Sequence, residues 1–270
     1  MYCERIALDT PNAYLEPYFL SLSPEMPASQ KRPAVLICPG GGYEFCSDRE
    51  AEPIAMALCA RGFHACVLRY PVAPAYRFPA ALCAAAQAVA WLKKNAETFH
   101  IDPKQIAVMG FSAGGHLAAS LGVFWNRPFL AEKTGLSPES MRPHKLVLCY
   151  PVITSGPWND GDSTQALLGE AFADDVQREL VSLEKQVTKD TPPAFLWHTY
   201  TDPSVPVQNT MLFASALCQA GVPFEAHIYS VGGHGLSLAT PLTRDALNNR
   251  VQEECAGWLD LAISWLHRQD

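Results

Sequence analysis

The stretch of sequence that decides the fold is Ile106-Ala-Val-Met-Gly110-Phe-Ser112-Ala-Gly-Gly115. It begins as a short apolar run of the kind that forms a buried strand, and residues 116–121 continue it with the composition of a helix. A Gly-x-Ser-x-Gly turn between a strand and a helix exposes the serine hydroxyl at a sharp turn. A plain glycine-rich loop is the alternative, but the flanking elements favour the sharp turn. We therefore predict that Ser112 is a nucleophile at the edge of a sheet.

Short apolar runs and longer segments of helical period alternate along the chain. The apolar runs are near-continuous, as expected for strands covered on both faces, and they are Ala34–Cys38, Ala65–Arg69, Ile106–Met109, Lys145–Tyr150 and Ala194–Trp197. Phe224–Tyr229 is the last predicted strand. Two apolar stripes of helical period are formed by Leu82, Ala85, Val89, Leu92 and Ala96, and by Leu247, Val251, Cys255, Trp258, Ala262 and Leu266. This alternation predicts an α/β fold with a mostly parallel sheet flanked by helices.

Three segments fall outside this alternation. The alternating pattern of Ile6–Leu8 and Tyr14–Leu22 predicts an antiparallel hairpin before the first central strand. Ser47 followed by Glu50 matches a capping box, which predicts a helix through about residue 60. Residues 154–191 interrupt the alternation with glycine, asparagine and aspartate, and we interpret them as a lid or pocket wall inserted into a single domain spanning residues 1–270.

Composition and charge exclude several classes of function. The chain has 20 Lys and Arg against 27 Asp and Glu, a net charge of −7, and no basic tract, which argues against a nucleic-acid partner. Its most apolar stretch, Ala80–Leu92, is too short to span a bilayer, and its first residues lack the apolar segment of a secretion signal. The nine cysteines are scattered and form no C-x-x-C pair. We therefore expect a cytoplasmic protein with no metal site and no membrane contact.

A serine nucleophile needs a base, and the chain order in this type of fold is serine, acid, histidine. His234 stands in the glycine-flanked loop Val231–Ser237, which follows the last predicted strand and can lean over the sheet edge. The other histidines precede Ser112, pack on its helix, lie beside or within predicted strands, or end the chain; they are His64, His100, His116, His144, His198, His227 and His267. We predict that His234 is the base, with a simple loop turn as the alternative.

The acid that orients the base is predicted to be Asp202. It follows the strand Ala194–Trp197, so it belongs to the same edge of the sheet as Ser112 and His234. Among its competitors, Asp190 lies before that strand, whereas Asp160 and Asp162 lie in the insertion. Capping of the segment from Val205 is the alternative role for Asp202.

An oxyanion hole is predicted in the loop Pro39-Gly-Gly-Gly-Tyr43, directly after the strand that ends at Cys38. Glycines after a strand let the backbone direct its N–H groups toward one point. The partner donor is the amide of Ala113, the residue after the nucleophile. A phosphate-binding loop is the alternative, but no G-K-[ST] or G-x-G-x-x-G pattern follows.

These motifs together resemble a known family. The ordered set Pro39–Tyr43, Gly110–Gly115, Asp202–Pro206 and Gly233–Ser237 resembles the α/β-hydrolase carboxylesterases, above all the small acetyl-esterase and acetylxylan-esterase-like group related to the hormone-sensitive lipases. The resemblance implies the α/β-hydrolase fold, with a central sheet of about eight mostly parallel strands. Two features depart from the hormone-sensitive-lipase branch: Pro39 replaces the histidine before the glycines, and the large N-terminal helical cap is missing.

The resemblance also implies roles and an activity. It assigns a catalytic triad to Ser112, Asp202 and His234 and oxyanion donors to Gly41, Gly42 and Ala113. We expect a serine ester hydrolase without a cofactor, acting on a small-molecule ester with a short acyl group, such as an acetylated oligosaccharide. The predicted pocket walls are Tyr43, Phe111 and Trp158. An amide hydrolase with the same triad and a catalytically silent binding module are the alternatives, and a homo-oligomer is compatible with the sequence.

Overall fold

The computed structural model describes residues 1–26, 31–247 and 250–268. All of its named strands belong to one sheet, and they are β1 (Ile6–Ala7), β2 (Tyr14–Tyr18), β3 (Arg32–Cys38), β4 (His64–Arg69), β5 (Ile101–Phe111), β6 (Lys145–Cys149), β7 (Ala194–Thr199) and β8 (Phe224–Tyr229). Their order across the sheet is β1-β2-β4-β3-β5-β6-β7-β8. Strands β3 to β8 run parallel to one another, whereas β1 and β2 form an antiparallel edge. The predicted α/β-hydrolase fold with a mostly parallel sheet and a leading hairpin is confirmed.

Helices cover both faces of the sheet. Their bounds are α1 (Glu52–Cys59), α2 (Ala80–Lys94), α3 (Ala96–Phe99), α4 (Ala113–Phe124), α5 (Pro128–Thr134), α6 (Pro138–Met141), α7 (Asp162–Leu168), α8 (Asp175–Leu180), α9 (Gln208–Ala220) and α10 (Trp258–Leu266). Alternate strand residues face opposite sides, so Leu36 and Val108 pack with α2, α4 and α9, whereas Ile37 and Met109 pack with α1 and α10. No helix in the described part of the chain is both long enough and apolar enough to cross a bilayer.

Two predicted helices have different bounds in the structure. The predicted capping box at Ser47 is wrong: the Ser47 side chain makes no capping hydrogen bond, and a short 3₁₀ turn, Asp48–Glu50, precedes α1. The Glu50 side chain is turned inward and buried, so it cannot cap the helix. The final helix begins at Trp258 rather than near Leu247, which is exposed to solvent. The apolar spacing of this helix is also present from Leu247 to Cys255, but the helix itself begins after them.

The insertion at residues 154–191 packs across one end of the sheet. It contains α7 and α8, and its apolar side chains Leu167, Leu168 and Leu183 join the core on the side of α2 and α4. Two backbone hydrogen bonds connect it to neighbouring segments. Phe78 N donates to the Leu167 carbonyl (2.9 Å), and Leu183 N donates to the Ile153 carbonyl (3.0 Å). The segment is therefore packed onto the same domain as the sheet.

The turn between β5 and α4 requires glycine because the strand and the helix touch at their backbones. A Cβ atom on Gly110 would lie 2.0 Å from the carbonyl oxygen of Gly114, far inside contact distance. The same turn forces Ser112 to φ 53° and ψ −120°, a backbone conformation that is costly for a residue with a side chain. The turn thus stores strain that the surrounding packing must offset.

Replacement of Gly110 by alanine should therefore destabilise the protein. We expect Gly110→Ala to lower the free energy of unfolding by about 2 kcal/mol or more, since backbone atoms must move to admit the methyl group. Gly257→Ala is the matched control, because no atom lies within 4 Å of a Cβ built there. Urea unfolding followed by circular dichroism measures both values. Equal midpoints for the two variants would contradict this explanation of the turn.

Candidate active site

The three predicted catalytic residues meet at the carboxyl edge of the sheet. Ser112 directly follows β5, whereas Asp202 and His234 lie in the loops after β7 and β8. The Nε2 atom of His234 lies 2.7 Å from Ser112 Oγ, and its Nδ1 atom lies 2.7 Å from Asp202 Oδ2. The structure therefore brings a hydroxyl, an imidazole and a carboxylate into one hydrogen-bonded line.

The Asp202 carboxylate is buried and accepts hydrogen bonds at both oxygens. Its Oδ1 accepts from the backbone N–H groups of Ser204 (2.9 Å) and Val205 (3.0 Å). Its Oδ2 accepts from His234, and also from Nε2 of a second buried histidine, His198, at 3.2 Å. The predicted alternative role of Asp202, a helix cap for the segment from Val205, is wrong: α9 begins at Gln208 without a side-chain cap, and Asp202 holds the turn that precedes it.

His198 is a site residue that the sequence analysis missed. Its Nδ1 atom lies 2.8 Å from the Thr210 hydroxyl, and its Nε2 atom faces the Val205 carbonyl (3.0 Å) as well as Asp202. Because a carbonyl and a carboxylate only accept, Nε2 carries the proton and Nδ1 accepts from Thr210. Its position four residues before Asp202, at the end of the strand β7, was the only signal in the sequence.

The charge on Asp202 fixes the tautomer of His234. Burial alone would raise the pKa of the Asp202 carboxyl, but hydrogen bonds from His198 and His234 hold that pKa well below its ordinary value. Asp202 is therefore a carboxylate at neutral pH and accepts the proton on Nδ1 of His234. The Nε2 lone pair of the neutral imidazole then faces the Ser112 hydroxyl, which is the arrangement of a general base beside a nucleophile.

The loop Pro39–Gly42 is held by its carbonyl groups, which leaves two of its N–H groups unengaged. The Gly40 carbonyl accepts from Ser47 N at 2.9 Å, and the Gly41 carbonyl accepts from Glu44 N at 2.9 Å. In a trans peptide the next N–H points the opposite way, so those of Gly41 and Gly42 point away from these partners. Within the described residues neither N–H has a protein acceptor, and the same holds for Ala113 N at the start of α4.

The loop lies against the serine turn. A Cβ atom on Gly40 would lie 3.1 Å from Ser112 Cβ, and one on Gly114 would lie 2.1 Å from the Cys38 carbonyl oxygen. Gly41 and Gly42 both have positive φ angles, 127° and 62°, which glycine adopts without strain. Gly41 and Gly42 line the same cavity as Ser112 and His234.

His116 packs beside the turn as predicted and takes no part in the line of hydrogen bonds to Ser112. Its Nε2 donates to the Val181 carbonyl (2.9 Å), so its Nδ1 accepts from the Tyr43 hydroxyl (2.8 Å). Burial lowers the pKa of His116 to about 4, so the imidazole is neutral at physiological pH. The residue joins the glycine loop, α4 and the insertion in the protein interior.

A cavity of about 530 Å³ opens beside Ser112 and His234. Its wall includes Asp160, Asp162 and Ser163 from the insertion. Many other lining residues are polar or small, and they include Gly41, Gly42, Glu44, Ser47, Arg49, Glu50, Ser204 and Arg250. Apolar surface comes from Pro203, Val205 and the largely exposed ring of Phe45. The cavity wall is thus mixed, with hydrogen-bonding groups beside these apolar side chains.

The predicted pocket aromatics lie elsewhere, which corrects the sequence analysis. Tyr43 is buried with its hydroxyl on His116, and Phe111 is fully buried against Tyr150 and Trp258 on the other side of the turn. Trp158 is 45% exposed and is absent from the cavity wall. Side chains next to the motif residues point into the core because alternate positions of the strand and turn face opposite sides.

Glu50 is a second residue that the sequence analysis did not place at the site. Its carboxylate is buried and accepts hydrogen bonds from Gly40 N (2.8 Å) and from the Tyr150 hydroxyl (2.7 Å). Within the described residues, no cluster of three or more His, Cys, Asp or Glu side chains has an arrangement that could hold a metal ion.

Comparison with known proteins identifies a matching family and several relatives. The sequence profile of the BD-FAE family matches residues 22–217. The chain is 41% identical over 219 residues to endo-1,4-beta-xylanase B of Butyrivibrio fibrisolvens, which covers 77% of this chain and 33% of that protein. It is 27% identical over 231 residues to an acetylxylan esterase of Xylanibacter ruminicola, covering 80% of this chain and 43% of that protein. The chain thus spans less than half the length of these two curated relatives.

Solved structures match over nearly their whole length. The carboxylesterase Cest-2923 from Lactobacillus plantarum is 30% identical, with a TM-score of 0.87, and the match covers 98% of this chain and 97% of that one. An acetyl ester-xyloside bifunctional hydrolase from Caldicellulosiruptor lactoaceticus is 37% identical, with a TM-score of 0.77 and coverage of 95% and 93%. MGS-M1, an α/β hydrolase from a deep-sea metagenome library, is 36% identical, with a TM-score of 0.80 and coverage of 98% and 96%.

The lowered pKa of Asp202 predicts a pH-dependent loss of stability in Asp202→Asn. The amide would present N–H groups to both imidazoles, so we expect the free energy of unfolding at pH 7 to fall by about 2 kcal/mol. A carboxyl group with a lowered folded-state pKa stabilises the fold above its unfolded-state pKa and loses that contribution as the pH falls. The difference between wild type and variant should therefore shrink below about pH 4.

Urea unfolding at a series of pH values measures this difference, in which the contributions of titrating groups far from Asp202 cancel. Asp260→Asn is the control, because Asp260 is exposed and forms a surface ion pair with Arg61 at 2.8 Å. Its effect should stay below about 0.5 kcal/mol at every pH. A gap between wild type and Asp202→Asn that stays constant with pH would contradict the assignment of the carboxylate.

Proposed function

This chain belongs to the BD-FAE family of α/β hydrolases, and we propose that it is a serine carboxylic-ester hydrolase that acts through an acyl-enzyme. The observation that carries the proposal is the line of hydrogen bonds from Ser112 Oγ to His234 Nε2 and from His234 Nδ1 to Asp202 Oδ2, each 2.7 Å long. A free serine hydroxyl is a weak nucleophile, and an oriented imidazole within hydrogen-bond distance activates it.

In the first half of the reaction Ser112 attacks the ester carbonyl while His234 Nε2 takes its proton. Asp202 holds the imidazole in the required tautomer and stabilises the imidazolium that forms. The carbonyl oxygen becomes an anion and accepts hydrogen bonds from the backbone N–H groups of Gly41, Gly42 and Ala113. Such preformed donors are worth about 3 kcal/mol each in the transition state.

The second half of the reaction repeats these steps with water. The tetrahedral intermediate collapses, His234 returns its proton to the departing alcohol, and the acyl group remains on Ser112. A water molecule then gives a proton to His234 and attacks the acyl carbonyl. The second tetrahedral intermediate collapses as His234 passes that proton to Ser112 Oγ, which releases the carboxylic acid and restores the serine hydroxyl. Every proton in the cycle passes through His234, so the cycle needs no further group.

We propose short acyl esters as the substrates, with acetylated sugars as the most suitable class. Support comes from the cavity, whose wall offers hydroxyl, carboxylate and guanidinium groups to a sugar beside the apolar side chains of Phe45, Pro203 and Val205. Further support comes from the relatives, which include an acetylxylan esterase and a bifunctional acetyl ester-xyloside hydrolase. Exposed Phe45 at the cavity offers an aromatic face to the apolar side of a sugar ring.

Ser112→Ala tests the mechanism. We expect hydrolysis of p-nitrophenyl acetate to fall by about 10⁴-fold or more, because nothing else at the site can form the acyl-enzyme. The unfolding midpoint should stay close to that of the wild type, since alanine keeps the same backbone strain and removes only the hydroxyl that contacts His234. A control variant, Ser140→Ala on the exposed helix α6, should keep full activity. Substantial turnover by folded Ser112→Ala would contradict the proposed nucleophile.

A substrate profile tests the proposed class. We expect kcat/KM for p-nitrophenyl esters to fall by about 10-fold or more between the acetyl and the octanoyl ester, because a longer chain must also lie against the polar part of the cavity wall. Acetylated xylose oligomers should be deacetylated, and aminoacyl amides should react far more slowly than esters. A preference for long chains would contradict the short-acyl proposal, and a preference for amides would favour the amide-hydrolase alternative.

A further inference from the structure

The buried carboxylate of Glu50 lies between the two loops that carry the oxyanion donors and the base. We propose that Glu50 and Tyr150 form a positioning pair that sets the distance between the glycine loop Pro39–Gly42 and the loop Val231–Ser237. This inference rests on the proposed function, because it assigns the pair a role in that reaction. Neither residue is proposed to touch the reacting atoms.

On the side of the oxyanion donors, Glu50 fixes the first peptide of the glycine loop. The Gly40 N–H donates to Glu50 Oε2 at 2.8 Å, and the carbonyl of the same peptide, on Pro39, accepts from the Tyr70 hydroxyl at 2.6 Å. A peptide bonded at both ends cannot rotate about the chain direction without losing a hydrogen bond. Its orientation therefore determines where the following N–H groups, those of Gly41 and Gly42, are directed.

On the side of the base, Tyr150 connects the same carboxylate to the histidine loop. The Tyr150 hydroxyl donates to Glu50 Oε1 at 2.7 Å and accepts from the backbone N–H of Ser237 at 2.8 Å. Its ring packs edge-on against the imidazole of His234, with the ring centroids 5.2 Å apart. Tyr150 thus limits both the position of the loop and the tilt of the base.

The direction of these hydrogen bonds is fixed by chemistry. A carboxylate has only acceptors, so Gly40 N and the Tyr150 hydroxyl must both donate to it. Burial, and the charge of Glu50, raise the pKa of Tyr150 well above its ordinary value, which keeps the hydroxyl protonated as a donor. Glu50 and Tyr150 are 3% and 1% exposed, so a lost partner at either group costs free energy.

Neighbouring contacts reinforce the same connection between the loops. The backbone carbonyl of Arg49 accepts from the Ser237 hydroxyl at 2.5 Å, and the Arg49 guanidinium donates to the carbonyls of Gly235 (2.9 Å) and Thr243 (2.7 Å). The short turn Asp48–Glu50 therefore contacts the histidine loop through Arg49 and the glycine loop through Glu50. A shift of this turn would move the two halves of the site relative to each other.

The functional consequence follows from how sharply catalysis depends on geometry. The base must meet the serine while the oxyanion donors meet the carbonyl oxygen, and a misplacement of about 1 Å can reduce the rate by about 100-fold. Ground-state binding depends far less on that distance, because the substrate can shift with either wall of the cavity. Loss of the pair should therefore lower kcat while KM changes little.

The test uses Glu50→Gln and Tyr150→Phe in the full chain, assayed with p-nitrophenyl acetate. Glutamine has one acceptor oxygen where glutamate has two, so either Gly40 N or the Tyr150 hydroxyl loses its acceptor. We expect each variant to reduce kcat by about 10- to 100-fold, with KM within about threefold of the wild type. The affinity for a methylboronic acid, which forms a tetrahedral adduct on Ser112, should fall in proportion to kcat/KM.

The matched control is Glu16→Gln. Glu16 is another poorly exposed glutamate with two partners, Arg5 (3.0 Å) and Arg69 (2.8 Å), but it lies on β2 away from the cavity. Its removal should lower the unfolding midpoint without changing kcat. The double variant Glu50→Gln/Tyr150→Phe should lose little more activity than the worse single variant, because both changes break one connection.

Three outcomes decide the proposal. Reduced kcat with a parallel loss of boronic-acid affinity in folded Glu50→Gln or Tyr150→Phe supports it. A lower unfolding midpoint with unchanged kcat, as for Glu16→Gln, overturns it and leaves the pair a structural role only. Should Glu50→Gln fail to fold, Tyr150→Phe decides by the same criteria. Ser112→Ala is measured beside them to separate the positioning role from the proposed function. Activity in that variant contradicts the proposed function itself.

Discussion

The parallel alignment of β5, β7 and β8 is the constraint on which the rest of the site depends. Parallel strands end at a common edge, so the residues that follow them meet in space although 122 positions separate Ser112 from His234. Helices on both faces are required to connect such strands, and they also cover the apolar runs of the sheet. The reactive groups therefore lie on loops that directly follow hydrogen-bonded strands of one sheet, which suits a reaction that depends on fixed distances.

Two buried carboxylates, those of Asp202 and Glu50, fix the positions of the groups at this edge of the sheet. Asp202 accepts from two backbone amides and two imidazoles, and this charge fixes the proton of His234 on Nδ1. Glu50 accepts from the glycine loop and from Tyr150, which in turn holds the histidine loop. A buried charge is tolerated only when it is fully hydrogen-bonded, so each carboxylate also locks the groups around it into one arrangement. The first sets the chemistry of the base, and the second is proposed to set its distance from the oxyanion donors.

Local patterns were sufficient to predict much of this architecture. The apolar runs located the central strands, and the glycines around Ser112 predicted the turn because the backbones of β5 and α4 touch there. The contacts of Glu50 could not be predicted, since its partners Gly40 and Tyr150 lie 10 and 100 positions away and its spacing from Ser47 imitates a helix cap. Tyr43 and Phe111 were misassigned for a related reason: adjacency to a motif does not determine which way a side chain points. Tertiary packing decides which way such side chains point, and the neighbouring residues in a single sequence do not reveal that packing.

The most direct test of the central claim is a crystal structure of the protein after reaction with an ethyl fluorophosphonate. The account predicts a covalent bond from Ser112 Oγ to phosphorus, with the phosphoryl oxygen within about 3 Å of the N–H groups of Gly41, Gly42 and Ala113. It also predicts that His234 Nε2 stays between the adduct and Asp202. Modification of another residue, or an adduct at Ser112 whose phosphoryl oxygen points away from these amides, would contradict the account.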